Sequence, residues 1–350
     1  MGEAEVLMET RGAAGVLTLN RPKALNALTL NMVRMIDAAL DTWMSDPNIA
    51  RIVVRGAGER AFCAGGDIRL LYEQGRAGDH AAQLTFWREE YLLNRRIARL
   101  AKPYVALLDG IVMGGGVGMS IHGSHVLAGD RTVFAMPEVG IGFFPDVGAT
   151  YALPRLPHHA GTYLAMTGAQ AKVGDVVRLG LADHYVPSVR FEDLTRALES
   201  GEDTQAIVAR FAAEPPASPL LDSTESMSRG FAGGDLGAVR EALRTQAHLG
   251  DEFAARALEA MAKKSPTSQA IAARQMRDGA AMDFETAMIT EFRIVSRICR
   301  GRDFYEGVRA VIVDKDNAPV WDAAPDAAPD VDAYFAPLGA DELIFPESSA

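Results

Sequence analysis

Lys102-Pro103-Tyr104-Val105-Ala106-Leu107-Leu108-Asp109-Gly110-Ile111-Val112-Met113-Gly114-Gly115-Gly116-Val117-Gly118 is followed by Phe134-Ala135-Met136-Pro137-Glu138-Val139-Gly140-Ile141-Gly142-Phe143-Phe144-Pro145-Asp146-Val147-Gly148. Tyr104 to Leu108 is a short apolar run after a proline, the pattern of a buried strand. It empties through Asp109-Gly110 into Gly114, Gly115 and Gly116. Val117, Met119 and Ile121 then suit a buried helix. A strand that ends in glycines at a helix N-terminus aims unpaired backbone N–H groups at one point, and such a point stabilises negative charge. The second half adds two carboxylates eight residues apart, Glu138 and Asp146. Anion-stabilising amides with two nearby acids are the parts of an active site.

Other readings of the glycines fail on spacing. A dinucleotide fingerprint started at Gly114 ends on Met119, and one started at Gly116 ends on Ile121. No phosphate-binding loop with its Gly-Lys-Ser/Thr is present. A serine-hydrolase elbow fails because Gly118-Met119-Ser120-Ile121 is followed by His122. Close packing through glycine remains the alternative.

The chain has 350 residues, 48% of them hydrophobic, and a net charge of −11. Its mean hydropathy is +0.01. That is globular composition with room for one large or two modest domains. The acidic balance excludes a nucleic-acid partner that needs a basic face. No apolar run reaches membrane-spanning length. The opening Met1-Gly2-Glu3-Ala4-Glu5-Val6 shows neither a signal nor a transit pattern, and Val6 argues against myristoylation at Gly2. The expectation is a cytoplasmic protein. Two cysteines, Cys63 and Cys299, make neither a disulfide framework nor a zinc site. Cys63 reads as a core thiol. His158, His159 and His184 lack metal-ligand spacing, so no metal is expected.

Along the chain, two strands (5–9 and 15–20) precede a helix that starts after Thr29, a good N-cap, and keeps its apolar spacing through Leu30, Val33, Ile36, Leu40 and Trp43. Residues 51–55 read as a strand. Ala64-Gly65-Gly66-Asp67-Ile68 follows another apolar segment and offers a second set of backbone donors. A long helix covers 79–100, with Arg88-Glu89-Glu90 read as a solvated face. Short strands at 126–128 and 133–136 alternate with helix, which suggests parallel sheet. From about 191 the chain turns helical and Ala-rich. The segment 214–226 reads as a loop, Asp283 to Cys299 as an amphipathic helix, and 323–329 as a linker.

These motifs resemble a known family. Asn20-Arg21-Pro22-Lys23-Ala24-Leu25-Asn26-Ala27-Leu28, Phe62-Cys63-Ala64-Gly65-Gly66-Asp67-Ile68, the Gly114–Gly116 run and Met136-Pro137-Glu138 are similar to the crotonase (enoyl-CoA hydratase/isomerase) superfamily. Arg88-Glu89-Glu90-Tyr91, Phe144-Pro145-Asp146-Val147-Gly148, Lys264-Ser265-Pro266-Thr267-Ser268 and the segment Gly307 to Asp316 resemble its 3-hydroxyisobutyryl-CoA hydrolase branch. The resemblance implies an α/β crotonase (ClpP-like) fold of repeated ββα units. It suggests a core over residues 1–190 and a helical C-terminal region over 191–350 packing on it. It implies hydrolysis of a branched 3-hydroxyacyl-CoA thioester from valine breakdown, with coenzyme A as part of the substrate and no separate cofactor.

By the same resemblance the oxyanion donors are the backbone amides of Gly66 and Gly115. The catalytic acids are Glu138 and Asp146, and Glu90, Gly115, Glu138 and Asp146 contact substrate. Lys23, Ala24, Leu25, Ala64, Asp67 and Ile68 line the coenzyme A site. Arg21, Lys23 and Lys102 are candidate cations for its phosphates. Glu138 is either nucleophile or general base, and burial among Met136, Val139 and Phe143 would raise its pKa. Asp146 either holds the 3-hydroxyl or orients Glu138. The chain departs from the hydratases at Gly118, where they carry a first catalytic glutamate. Two alternatives stay open: a hydratase or isomerase on the same fold, and a silent acyl-CoA-binding protein. Trimers and hexamers are common in the superfamily, so a homo-oligomer is among the open readings.

Overall fold

The computed structural model describes residues 4–346. Met1 to Glu3, part of the opening stretch read for targeting signals, lie outside them. Ten strands run in chain order: β1 Val6–Arg11, β2 Ala14–Leu19, β3 Arg51–Gly56, β4 Ala61–Cys63, β5 Tyr104–Leu108, β6 Ile111–Met113, β7 His125–Ala128, β8 Val133–Ala135, β9 Gln170–Lys172 and β10 His184–Tyr185. The chain divides into two compact units. One holds the residues up to Asp67 with Leu93–Ala135 and Gln170–Asp222; the other holds Ile68–Leu92, Met136–Ala169 and the residues from Ser223 onward.

The first unit carries both sheets. One is ordered β1-β2-β3-β5-β7-β10, the other β4-β6-β8-β9. Among the described strands, β1–β2 and β8–β9 pair antiparallel and the other pairs are parallel. The hairpin sets Val6 opposite Leu19 and Arg11 opposite Ala14, turning at Gly12 with φ +55°. All of β2 and β5 is buried, the near-continuous apolar pattern of strands covered on both faces. Val16, Val53, Val105, Leu107 and Leu127 pack on Leu194, Leu198, Ile207 and Val208 of helices Phe191–Leu198 and Thr204–Phe211.

Buried Arg51 ties that layer down. Its guanidinium donates to Thr204 Oγ1 and to the carbonyls of Leu198, Ser200 and Glu202. Helix Leu30–Ser45 starts at Thr29, whose Oγ1 accepts the Met32 N–H at 3.1 Å. Lys102 Nζ donates at 2.6 Å to the carbonyls of Trp43 and Asp46 at its other end. Lys102 is therefore a helix-end clamp, which corrects its reading as a phosphate cation.

Between β5 and β6 the chain passes from one sheet to the other. Gly110 makes the corner with φ +83°, and a Cβ there would stand 2.5 Å from Arg60 O. The helix expected from Val117 onward is a single turn, Gly115–Gly118, followed by further turns. Glycine's backbone entropy weakens helix there, and Ser120 Oγ competes for the Gly116 and Val117 carbonyls.

The second unit is helical. Asp235, Asp251, Ser265 and Asp283 cap helices Leu236–His248, Glu252–Ala262, Pro266–Gly279 and Phe284–Ile298 through side-chain oxygens. The last follows the sequence expectation closely, whereas the loop expected over 214–226 ends in helix Thr224–Gly230. Its aromatic core includes Trp87 stacked on Phe143 at 5.5 Å, with Phe144 and Phe304 against Phe143. Among the described residues no helix is long and apolar enough to cross a membrane.

Candidate active site

The first unit places the two glycine segments side by side. A Cβ built on Gly65, whose φ is +110°, would lie 3.6 Å from Gly115 N. Leu28 N–H donates to Gly65 O, and Asp67 N–H donates to Leu28 O, both at 2.8 Å. This bridge between Leu28 and Gly66 leaves the Gly66 N–H outside the ladder. Gly115 opens the helical turn, so its N–H has no partner within it. The neighbouring glycines do other work. Gly114 has φ 46° and ψ −122°. A Cβ on Gly116 would meet Cys63 O at 2.3 Å and Cys63 Cβ at 2.9 Å. Close packing at Gly116 and an amide outside the helical turn at Gly115 thus stand one residue apart.

The segments expected to line coenzyme A also meet here. Ala64 N–H donates to Leu25 O at 3.0 Å, while Leu25 and Asn26 take left-handed φ of 52° and 56°. Buried Asn26 holds that turn through the carbonyls of Ala57 and Ala61 and the Arg21 N–H. Lys23 and Ala24 are exposed, and Ile68 opens helix Ile68–Arg76. Arg21 pairs with Asp67 at 2.9 Å and Glu5 at 3.3 Å, so its charge is largely balanced.

The second unit gathers the acids. Glu90, Glu138 and Asp146 are 2%, 7% and 4% exposed. This corrects the reading of Glu90 as a solvated charge: it lies on helix His80–Ala98 beside fully buried Tyr91. Tyr91 Oη donates to Asp146 Oδ2 at 2.8 Å. Glu138 opens the turn Glu138–Ile141, and its Oε2 has no hydrogen-bond partner; neither has Glu90 Oε1. Burial, then the charge of Asp146, holds the Glu138 carboxyl well above its ordinary range. Glu90 is raised by burial and by Asp146 and Glu291. Burial pushes Asp146 up to about 7, against the opposing Tyr91 hydrogen bond.

Buried carboxyls with raised pKa values and unpartnered oxygens are poised for proton transfer. Among the described residues no cluster of three or more His, Cys, Asp or Glu is arranged to hold a metal.

Three polar residues of this cluster escape sequence reasoning. Tyr91 passes for an apolar helix position. Gln275 Nε2 donates to Pro145 O at 2.8 Å and Thr150 Oγ1 at 2.7 Å. Glu291 is fully buried and accepts the Gly148 and Thr150 N–H groups. One signal was available: Glu291 falls on the apolar stripe of Ala287, Met288, Phe292 and Val295, where a lone charge needs partners.

Residues 14–335 match the enoyl-CoA hydratase/isomerase family. A relative from Danio rerio, the mitochondrial 3-hydroxyisobutyryl-CoA hydrolase, is 46% identical over 91% of this chain and 85% of its own. Two solved structures share the fold with a TM-score of 0.91: a carnitinyl-CoA dehydratase from Mycobacterium thermoresistibile, 39% identical over 99% of this chain and 100% of its own, and an enoyl-CoA hydratase from Rhodobacter sphaeroides 2.4.1, 40% identical over 98% and 100%. The expected α/β crotonase fold with a helical C-terminal region is thereby established. The expectation of a cytoplasmic protein is overturned: eight curated relatives, 42–46% identical, are all named as mitochondrial enzymes. Charge and composition do not encode compartment. The chain belongs to the enoyl-CoA hydratase/isomerase family.

Proposed function

We propose that the protein hydrolyses 3-hydroxyisobutyryl-CoA to the free hydroxy acid and coenzyme A. The observation that carries this reading is the buried trio Glu90, Glu138 and Asp146, with Glu138 Oε2 unpartnered, in a chain that has Gly118 where the two-glutamate hydratases carry an acid. Curated hydrolases at 42–46% identity support it.

In this reading the thioester oxygen accepts from the Gly66 and Gly115 amides. Those donors stabilise the charge that develops as the carbonyl carbon becomes tetrahedral. Loss of one such donor costs about 3 kcal/mol. The Glu138 carboxylate acts on the carbonyl carbon in one of two ways. As general base it takes a proton from the attacking water, and the C–S bond breaks with the thiolate leaving. As nucleophile it displaces the thiolate to give a mixed anhydride, which water then cleaves. A thiolate leaves readily, so no strong second acid is required. Asp146, held by Tyr91, orients Glu138 or binds the 3-hydroxyl, and Glu90 contacts the same acyl group. Segments 23–25 and 64–68 line the coenzyme A moiety, and Lys23 is the cation offered to its phosphates. Coenzyme A belongs to the substrate, and the mechanism needs no further cofactor.

The hydratase and dehydratase titles of the two solved relatives favour a second reading, addition of water across a double bond. The two are separated by following free-thiol release from (S)-3-hydroxyisobutyryl-CoA beside the loss of crotonyl-CoA absorbance. Thiol release without hydration is expected. Hydration without thiol release would overturn the hydrolase, and neither signal would leave a binding protein.

A further inference from the structure

We infer that Glu291 is a positioning residue for this hydrolysis: its carboxyl clamps the loop that carries Asp146. The inference rests on the hydrolase reading for its catalytic part only. Both oxygens are engaged, Oε2 by the Gly148 N–H at 2.8 Å and Oε1 by the Thr150 N–H at 2.9 Å. An apolar side chain at 291 would orphan two buried amides.

The loop they belong to does not hold its shape by local preference. Val147, β-branched, sits at φ +54°, and Gly148 follows at φ +90°. Such a backbone persists only where its surroundings over-determine it. Gln275 supplies the second restraint through Pro145 O and Thr150 Oγ1. Asp146 lies between these restraints, with its carboxyl on Tyr91. Two C-terminal helices, Pro266–Gly279 and Phe284–Ile298, thus fix the position of one acid of the cluster.

Charge separates this clamp from an ordinary core hydrogen bond. The titratable group that raises Glu291 is Asp146, and Glu291 in turn raises Glu90 and Tyr91 of helix His80–Ala98. Nearby cations are engaged elsewhere: Arg88 stacks on Phe292 and donates to Asp341 and Glu342 carbonyls, and Arg293 pairs with Glu342. Burial and then Asp146 raise Glu291 to about 8, against the pull of its two amide donors.

The test is Glu291→Gln beside Gln275→Leu, in the full chain. Glu291→Gln keeps the shape but turns one N–H acceptor into a donor, so kcat should fall about ten- to hundredfold with KM little changed, as expected for a displaced acid. The pH dependence of kcat should change, because a group that interacts with Asp146 is lost, and hydrogen exchange at Gly148 and Thr150 should accelerate. Gln275→Leu should lower kcat and keep the wild-type pH dependence. Unchanged kcat and unchanged exchange in Glu291→Gln would overturn the inference. So would a lowered kcat with the wild-type pH dependence intact, which leaves a merely structural role. If Glu291→Gln does not fold, unchanged kcat and exchange in Gln275→Leu overturn it. If wild type releases no thiol, the hydrolase reading fails, while amide exchange still decides whether Glu291 clamps the loop.

Discussion

In the proposed reaction, the glycine segments around Gly66 and Gly115 and the acid-bearing stretch from Glu138 to Thr150 supply polar groups by opposite means. The first uses neutral backbone N–H groups, so its donors bring no charge to be desolvated and the demand falls on chain geometry: Gly65 at φ +110°, Gly114 in a conformation of its own, Gly116 against Cys63. The second buries whole carboxyls, where loss of hydration is the largest cost and is offset by the Tyr91 hydroxyl at Asp146 and by the Gly148 and Thr150 amides at Glu291. Backbone sites fail through sterics and carboxyl sites through charge, so substitutions and pH should separate them.

Glu138→Gln should have the largest effect. Removal of a proton acceptor or nucleophile costs about 10²- to 10⁴-fold in rate. KM for the acyl-CoA should barely move, because the amide fills the same space. Steady-state thiol release measures both, and full activity would remove Glu138 from the mechanism. In the wild type, activity should rise with pH through a midpoint well above the ordinary glutamate value, since burial favours the protonated form.

Stability should show the same charges with the opposite trend. Asp146 and Glu291 bind protons in the folded chain up to about 7 and about 8, whereas their ordinary values are 3.8 and 4.5. Between those limits the folded state holds more protons than the unfolded one. Stability is therefore greatest on the acid side of the window and falls as pH rises through 7 and 8. Urea midpoints at pH 5.5 and 8.5 should differ in that sense. Asp146→Asn should flatten the slope, because it removes one raised group and the charge that raises the other. An unchanged slope would mean these groups are not the source.

Gly116→Ala probes the backbone side. Its Cβ must displace the Cys63 carbonyl, which is strand backbone and cannot swing aside. Overpacking of this kind costs about 1–3 kcal/mol. The loss should be nearly independent of pH, in contrast to Asp146→Asn, and denaturant unfolding at two pH values checks it.

The sequence was most informative where backbone sets the pattern. β5 falls where its apolar run says, Thr29 caps as expected, and helix Phe284–Ile298 follows its stripe. The glycine segments were legible for the same reason, since few residues take those conformations. The acid cluster was legible only in part: Glu138 and Asp146 stand out beside the glycines, but the burial of Glu90 and the partners that hold the cluster do not. Glu90 looks like its exposed neighbours in Arg88-Glu89-Glu90, and only tertiary packing makes it 2% exposed. Gln275 and Glu291 reach the Asp146 loop from more than a hundred residues away in sequence, a separation that no local period encodes.

The smallest effects concern the cations offered to coenzyme A, and they sharpen the backbone side. Lys102 and Lys23 look equivalent in sequence, each flanking a motif. In the fold, Lys102 Nζ closes the end of helix Leu30–Ser45 through two carbonyls, while Lys23 is exposed on the turn Pro22–Ala24. Lys102→Met should lower stability by about 1–2 kcal/mol, the range for a hydrogen-bonded charge that leaves acceptors behind. It should leave KM unchanged. Lys23→Met should leave stability unchanged and raise KM modestly. An exposed ion pair is worth at most about 1 kcal/mol, roughly a fivefold change in affinity. That KM effect should shrink as salt is added, because solvent ions screen an exposed pair. KM measured at two ionic strengths for both variants decides the matter: a rise for Lys102→Met at unchanged stability would return that lysine to the phosphates and make its carbonyl contacts secondary.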